Sequence, residues 1–216
     1  SAAAFAEQRP AKEKTTVNTQ YWMHGFKAED PKALARELAD TGFDVVVAGG
    51  DAVIEAVREA GMRSWLCGGA FGLGGKKNDD SYKAIDITGK PQVWFGSGSP
   101  NHPELRENNL KAYEKMAETD GIEGILVDGC RFASPASGLG AFFTDFSAHS
   151  ERKAAELGFD FGRMKQDVAE LHKLIASLGE GAARGRAWLA TPVGALEWLT
   201  QRPGILDWFR FRRVCA

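Results

Sequence analysis

The chain has 216 residues, 44% hydrophobic and 26% charged, which is enough apolar material for a sizeable core in one large domain or two small ones. Its formal charge of -2, with no basic block beyond Arg210, Arg212 and Arg213, leaves no footprint for a nucleic acid partner, and that trio reads as an exposed helix face. No run approaches the ~18 apolar residues of a membrane helix, and Cys67, Cys130 and Cys215 match neither a zinc spacing nor a disulfide framework, so free or buried thiols are expected.

Residues 1 to 19 read as a leader and linker. Small residues at Ala4 and Ala6 fit the A-x-A pattern of a signal-peptidase site, which predicts an extracytoplasmic protein, and Gln8 to Asn18 is polar. From there Tyr21 to Phe26 is a short aromatic strand, and Asp30-Pro31 opens a helix to Thr41 that Gly42 stops. Phe43 to Ala48 is a β-branched run typical of a buried parallel strand. Asp51 is expected to cap a helix over Ala52 to Ala60, and Met62 to Leu66 supplies a third strand. Strand, helix, strand, helix, strand at this spacing predicts an α/β fold with a parallel sheet. The pattern Gly72-Leu73-Gly74-Gly75 lacks the spacing and following helix of a nucleotide fingerprint, and no cofactor is called for.

The long stretch from Cys67 to Pro103 predicts a functional loop holding a hairpin, Ala84 to Phe95, that turns at Thr88-Gly89-Lys90. Pro103 starts a helix to Thr119 with Leu105, Leu110, Tyr113 and Met116 inward. The run Gly124 to Val127 then reads as a strand buried on both faces and ending on Asp128. After a loop rich in Gly and Ser come helices at Ser147 to Leu157 and Phe161 to Leu178. A Trp-rich helical stretch, Trp188 to Val214, is broken near Pro203-Gly204.

In a parallel α/β protein ligands bind at the carboxyl ends of the strands, which makes Asp128, followed by Gly129 and Arg131, a candidate site. A carboxylate there also caps turns, so both roles stay open. Trp94, Asn101 and His102 fall near the same rim. An aromatic ring stacks on the apolar face of a sugar, while Asn, His and Arg offer hydrogen bonds, and the alternative is that Trp94 and Phe95 only pack the hairpin.

The segments Asp128-Gly129-Cys130-Arg131-Phe132, Leu157-Gly158-Phe159-Asp160 and Trp208-Phe209-Arg210-Phe211-Arg212, with the loop Gly98 to Arg106, resemble an uncharacterised group of exported, glycoside-hydrolase-like TIM-barrel proteins. The likeness implies the first four βα repeats of a (β/α)8 barrel over residues 20 to 216, with the rest of the barrel, or self-association, needed to close it. It also implies a carbohydrate partner, with Asp128 as candidate general acid and its partner carboxylate on a later strand beyond Ala216, Asp145 and Asp51 being the weaker candidates within the chain. His24, Trp94, Asn101, His102 and Arg131 would bind substrate. The loop after the fourth strand departs from the family, having Asp145, Ser147 and His149 where its members often carry cysteines. Two rival expectations remain: a non-catalytic carbohydrate-binding or scaffold barrel, and a metal-dependent barrel lyase or isomerase using Asp128, His24 and His102.

Overall fold

A computed structural model describes residues 20–178 and 192–216. The expected leader over residues 1 to 19 and Trp188 lie outside the described residues. The chain divides after Trp65 into two compact units.

The first unit holds β1 (Trp22–His24), α1 (Pro31–Asp40), β2 (Val45–Val47), α2 (Asp51–Glu59) and the start of β3 (Arg63–Gly69). The strands pair in parallel, Met23 with Val46 and Val46 with Ser64. Asp30 caps α1 by accepting from Lys32 N at 3.0 Å and Ala33 N at 3.1 Å. Side chains alternate across a strand. Met23 and Val46 therefore face the cluster of Phe26, Ala35, Leu38, Ala56, Val57 and Met62, while Trp22 and His24 are exposed. Asp51 does not cap α2. Gly50, at φ 106°, holds the cap position and Asp51 is the first helical residue, where its charge complements the helix dipole.

The second unit continues with the hairpin strands β4 (Ala84–Ile85) and β5 (Pro91–Gln92), then α3 (Pro103–Ala117), β6 (Gly124–Asp128), α4 (Leu139–Phe142), α5 (Ala148–Glu156), α6 (Phe161–Leu178), α7 (Pro192–Thr200) and α8 (Pro203–Cys215). Strands β1, β2, β3 and β6 form a four-stranded parallel sheet in that order. Within the second unit Ala70 N donates to Asp128 O at 2.7 Å where β3 and β6 end. The strand β6 is less covered than its apolar sequence predicts: Gly124 to Leu126 are half-buried, and Val127 and Asp128 are exposed. It stands last in the sheet order. Leu105 is the one fully buried residue of α3, and Leu110 is exposed rather than inward.

The main core lies where α6 and α8 pack on the loop after α4. Trp208, Phe143, Phe211, Met164 and Val168 are almost wholly buried, and Trp208 Nε1 donates to Thr144 O at 3.2 Å. Gly204 permits the close helix approach. A Cβ there would meet Arg163 O at 2.6 Å, and Gly204 N donates to Asp167 Oδ2 at 2.8 Å. Arg212 departs from the exposed face expected of the basic trio. It is 7% exposed, and its guanidinium lies over the rings of Trp208, Phe132 and Phe142 at 4.5, 4.7 and 5.2 Å, donating from Nη2 to Ala133 O at 2.8 Å. Among the described residues no carboxylate pairs with it, its Nε has no partner, and burial pushes its pKa down to about 10.

Candidate functional site at the carboxyl end of β6

The hairpin β4–β5 leads into the loop that carries Trp94 and Phe95. Its turn is wound on the Asp86 carboxylate, whose Oδ1 accepts from Thr88 N, Thr88 Oγ1 and Lys90 N and whose Oδ2 accepts from Gln92 Nε2. Past β5, Trp94 turns inward. It is buried, its ring stacks on Phe132 with centroids 6.2 Å apart, and its Nε1 donates to Arg131 O at 3.3 Å. This ties the loop to the segment that leaves β6.

Phe95, the next residue, is thrown outward. It is 84% exposed and sits at φ 48°, a left-handed conformation that a bulky side chain adopts at a cost of about 1 kcal/mol or more. The Arg131 guanidinium lies 5.3 Å from its ring centroid. Of the two rings expected near the rim, Trp94 is buried as an anchor of the loop and Phe95 is exposed. Phe95 and Gly96, at φ 48° and 73°, are the two central residues of a tight turn closed by Ser97 N donating to Trp94 O at 2.8 Å, and this puts Phe95 at the outward tip.

Asp128 ends β6 on the same rim, three residues before Arg131. It is exposed, and its Oδ1 accepts from Gly129 N at 2.6 Å, leaving Oδ2 free of protein donors among the described residues. Cys67 on β3 feels this carboxylate: burial first, then the Asp128 charge, raises its thiol pKa. Asp128 and Arg131 form no ion pair with each other among the described residues. The rim thus presents a flat ring, a guanidinium and a carboxylate oxygen.

Asp145, the second expected acid, is elsewhere in its chemistry. It is 1% exposed and its two oxygens accept from Ile85 N at 2.9 Å, Ser147 N at 3.0 Å, Ser147 Oγ at 3.1 Å, Ser150 Oγ at 2.7 Å and Ser99 Oγ. These bonds join β4, the loop before α3 and the start of α5 to one carboxylate. Asn101 is buried beside them, donating from Nδ2 to Ser150 Oγ at 2.9 Å with its Oδ1 unpartnered. His102 is buried as the cap of α3, its Nδ1 accepting from Leu105 N at 3.3 Å. Asn101 and His102 therefore belong with Asp145 in an interior polar cluster and are not gathered with Asp128 and Arg131 on the exposed rim. His24 is exposed in the first unit, edge-on to Trp22 with ring centroids 6.5 Å apart. Asp51 stands in the first turn of α2.

Among the described residues no three His, Cys, Asp or Glu side chains are grouped to hold a metal ion, and no helix is long and apolar enough to cross a membrane. No family model, curated protein or solved structure matches the chain.

Proposed function

We propose that this protein binds carbohydrate at the carboxyl end of β6, with Phe95 as the stacking platform and Arg131 and Asp128 as the polar contacts. The observation that carries the reading is Phe95 itself, a large ring held almost fully in water by a strained backbone and backed by a guanidinium. The two-residue turn Phe95-Gly96 between Trp94 and Ser97 sets the ring outward, and a sugar ring supplies C–H groups for its face and hydroxyls for the flanking charges. The parallel order β1-β2-β3-β6, with strands following the chain, supports reading the sheet as the first half of a (β/α)8 barrel, in which this rim is the ligand-binding end.

Binding is the role assigned to these residues as they stand. Glycoside hydrolysis commonly needs two carboxyl groups roughly 5 to 10 Å apart, and Asp145 is occupied by five donors in the interior. The open Oδ2 of Asp128 supports a second reading, in which it acts as general acid with a carboxylate from another strand of a complete barrel. Affinity electrophoresis on a panel of soluble polysaccharides tests the first reading. Retardation by at least one glycan is expected, abolished in Arg131→Ala and weakened in Asp128→Asn, without release of reducing sugar. Migration unchanged by every glycan would refute it, and sugar release lost in Asp128→Asn would favour the second.

A further inference from the structure

Away from this rim, three rings form a stack that the carbohydrate reading leaves unused. His102 lies between Tyr82, stacked at 4.3 Å, and His149 of α5, tilted at 4.2 Å. Both imidazoles have Nδ1 directed at an N–H donor: His102 Nδ1 accepts from Leu105 N at 3.3 Å, and His149 Nδ1 lies 2.7 Å from Arg152 Nη2. A guanidinium can only donate, and so can a backbone N–H. Each ring must then carry its single proton on Nε2 and offer the Nδ1 lone pair.

We propose that the His102–His149 contact is an acid-opened clasp between the start of α3 and α5. A second proton on either ring has to land on Nδ1, where it turns an acceptor into a donor facing another donor. On His102 it removes the cap of α3 and puts positive charge at a helix N-terminus, which the dipole disfavours. On His149 it confronts Arg152. Two imidazolium rings 4.2 Å apart also repel each other.

The surrounding groups bear on both rings. Burial is the largest influence and lowers the pKa of His102; Glu104, Asp79 and Asp145 oppose this, and Arg152 adds to it. Burial likewise lowers His149, joined by His102 and Arg152 and opposed by Asp145. Tyr82 packs on His102 and has Lys76 over its ring at 4.8 Å. With both folded pKa values below the ordinary 6.5, the unfolded or opened chain binds more protons. The contact is complete above that value and is lost as pH falls through the lower folded values.

Hydrogen exchange followed by mass spectrometry on the full chain, corrected for the intrinsic pH dependence of exchange, reads the clasp directly. Between about pH 7.5 and about pH 5, peptides covering residues 99 to 106 and 147 to 154 should lose protection by about tenfold or more, while α6 keeps its own. The double variant His102→Asn, His149→Phe retains a cap acceptor and a ring but has nothing to titrate, and should show no such loss. An equal loss in the double variant, or none in the parent chain, overturns the proposal. If the double variant does not fold, histidine titration by NMR in the parent chain decides: a loss of protection that coincides with His102 and His149 midpoints below the ordinary value upholds the clasp, and midpoints at or above it, or a loss that tracks neither ring, refute it.

Discussion

Replacing Asp145 by Ala should unfold the second unit's loop scaffold without touching the exposed rim. The substitution strands five donors, of which the three hydroxyls of Ser99, Ser147 and Ser150 can rotate toward other acceptors. Ile85 N and Ser147 N cannot, since their directions are fixed by the backbone. Each buried, unsatisfied N–H costs about 1 to 3 kcal/mol, and water entering the vacated space recovers part of that. A net loss of about 4 kcal/mol is expected, equivalent to a fall in melting temperature of roughly 8 to 16 °C for a chain of this size. Asp145→Asn keeps one oxygen for the two backbone donors and should lose about half as much. Urea titration monitored by tryptophan fluorescence measures both, with Trp208 as an internal reporter because its Nε1 bonds to Thr144 O beside the site. A loss under about 1 kcal/mol for Asp145→Ala would show that the carboxylate is not the hub that the hydrogen bonds describe, and would return it to the candidates for chemistry.

Other consequences follow from the same interior. Arg212→Ala removes a guanidinium that fills the space among Phe132, Phe142 and Trp208, and should destabilise by about 3 kcal/mol through lost packing; Arg212→Met, which refills the space without a buried charge, should recover most of it, and equal losses for the two would refute this. Asp86 titrates at the acid end. Burial would raise its pKa, but hydrogen bonds from Lys90 N, Thr88 and Gln92 outweigh it, and the folded value lies below the ordinary 3.8. Its contribution is therefore present above that value and lost as pH falls through the folded pKa, so the acid unfolding limb of Asp86→Asn should be shallower than the parent's below about pH 4. Superimposable limbs would contradict the assignment.

Much of the frame was legible in the sequence because it rests on local rules. The Asp30 cap, the stop at Gly42, the βα alternation, the Thr88-Gly89-Lys90 turn and the Ser147 start of α5 each follow from a few neighbouring residues. What the sequence did not disclose depends on partners far along the chain. Nothing near Asp145 announces that Ile85 and Ser99 converge on it from 60 and 46 residues away. Arg212 reads as one of three surface cations until Phe132 and Phe142 are brought over it. The run Gly124 to Val127 has the composition of a covered strand, yet coverage is decided by which strands and helices lie beside it, and β6 stands last in its sheet. At the rim, the pair Trp94-Phe95 signals an aromatic contact, but the left-handed backbone that assigns the outward position to Phe95 has no sequence mark beyond the Gly96 that follows.

Glycan binding by the parent chain and by Phe95→Gly, measured side by side with thermal melting, tests the carbohydrate reading most directly. Glycine relieves the left-handed strain and removes only an exposed ring, so the melting midpoint should stay within about 4 °C of the parent's. Binding should fall by about tenfold or more, the worth of one stacked ring. Equal binding by the two chains would contradict the account, because the exposed ring would then serve neither the fold nor a sugar.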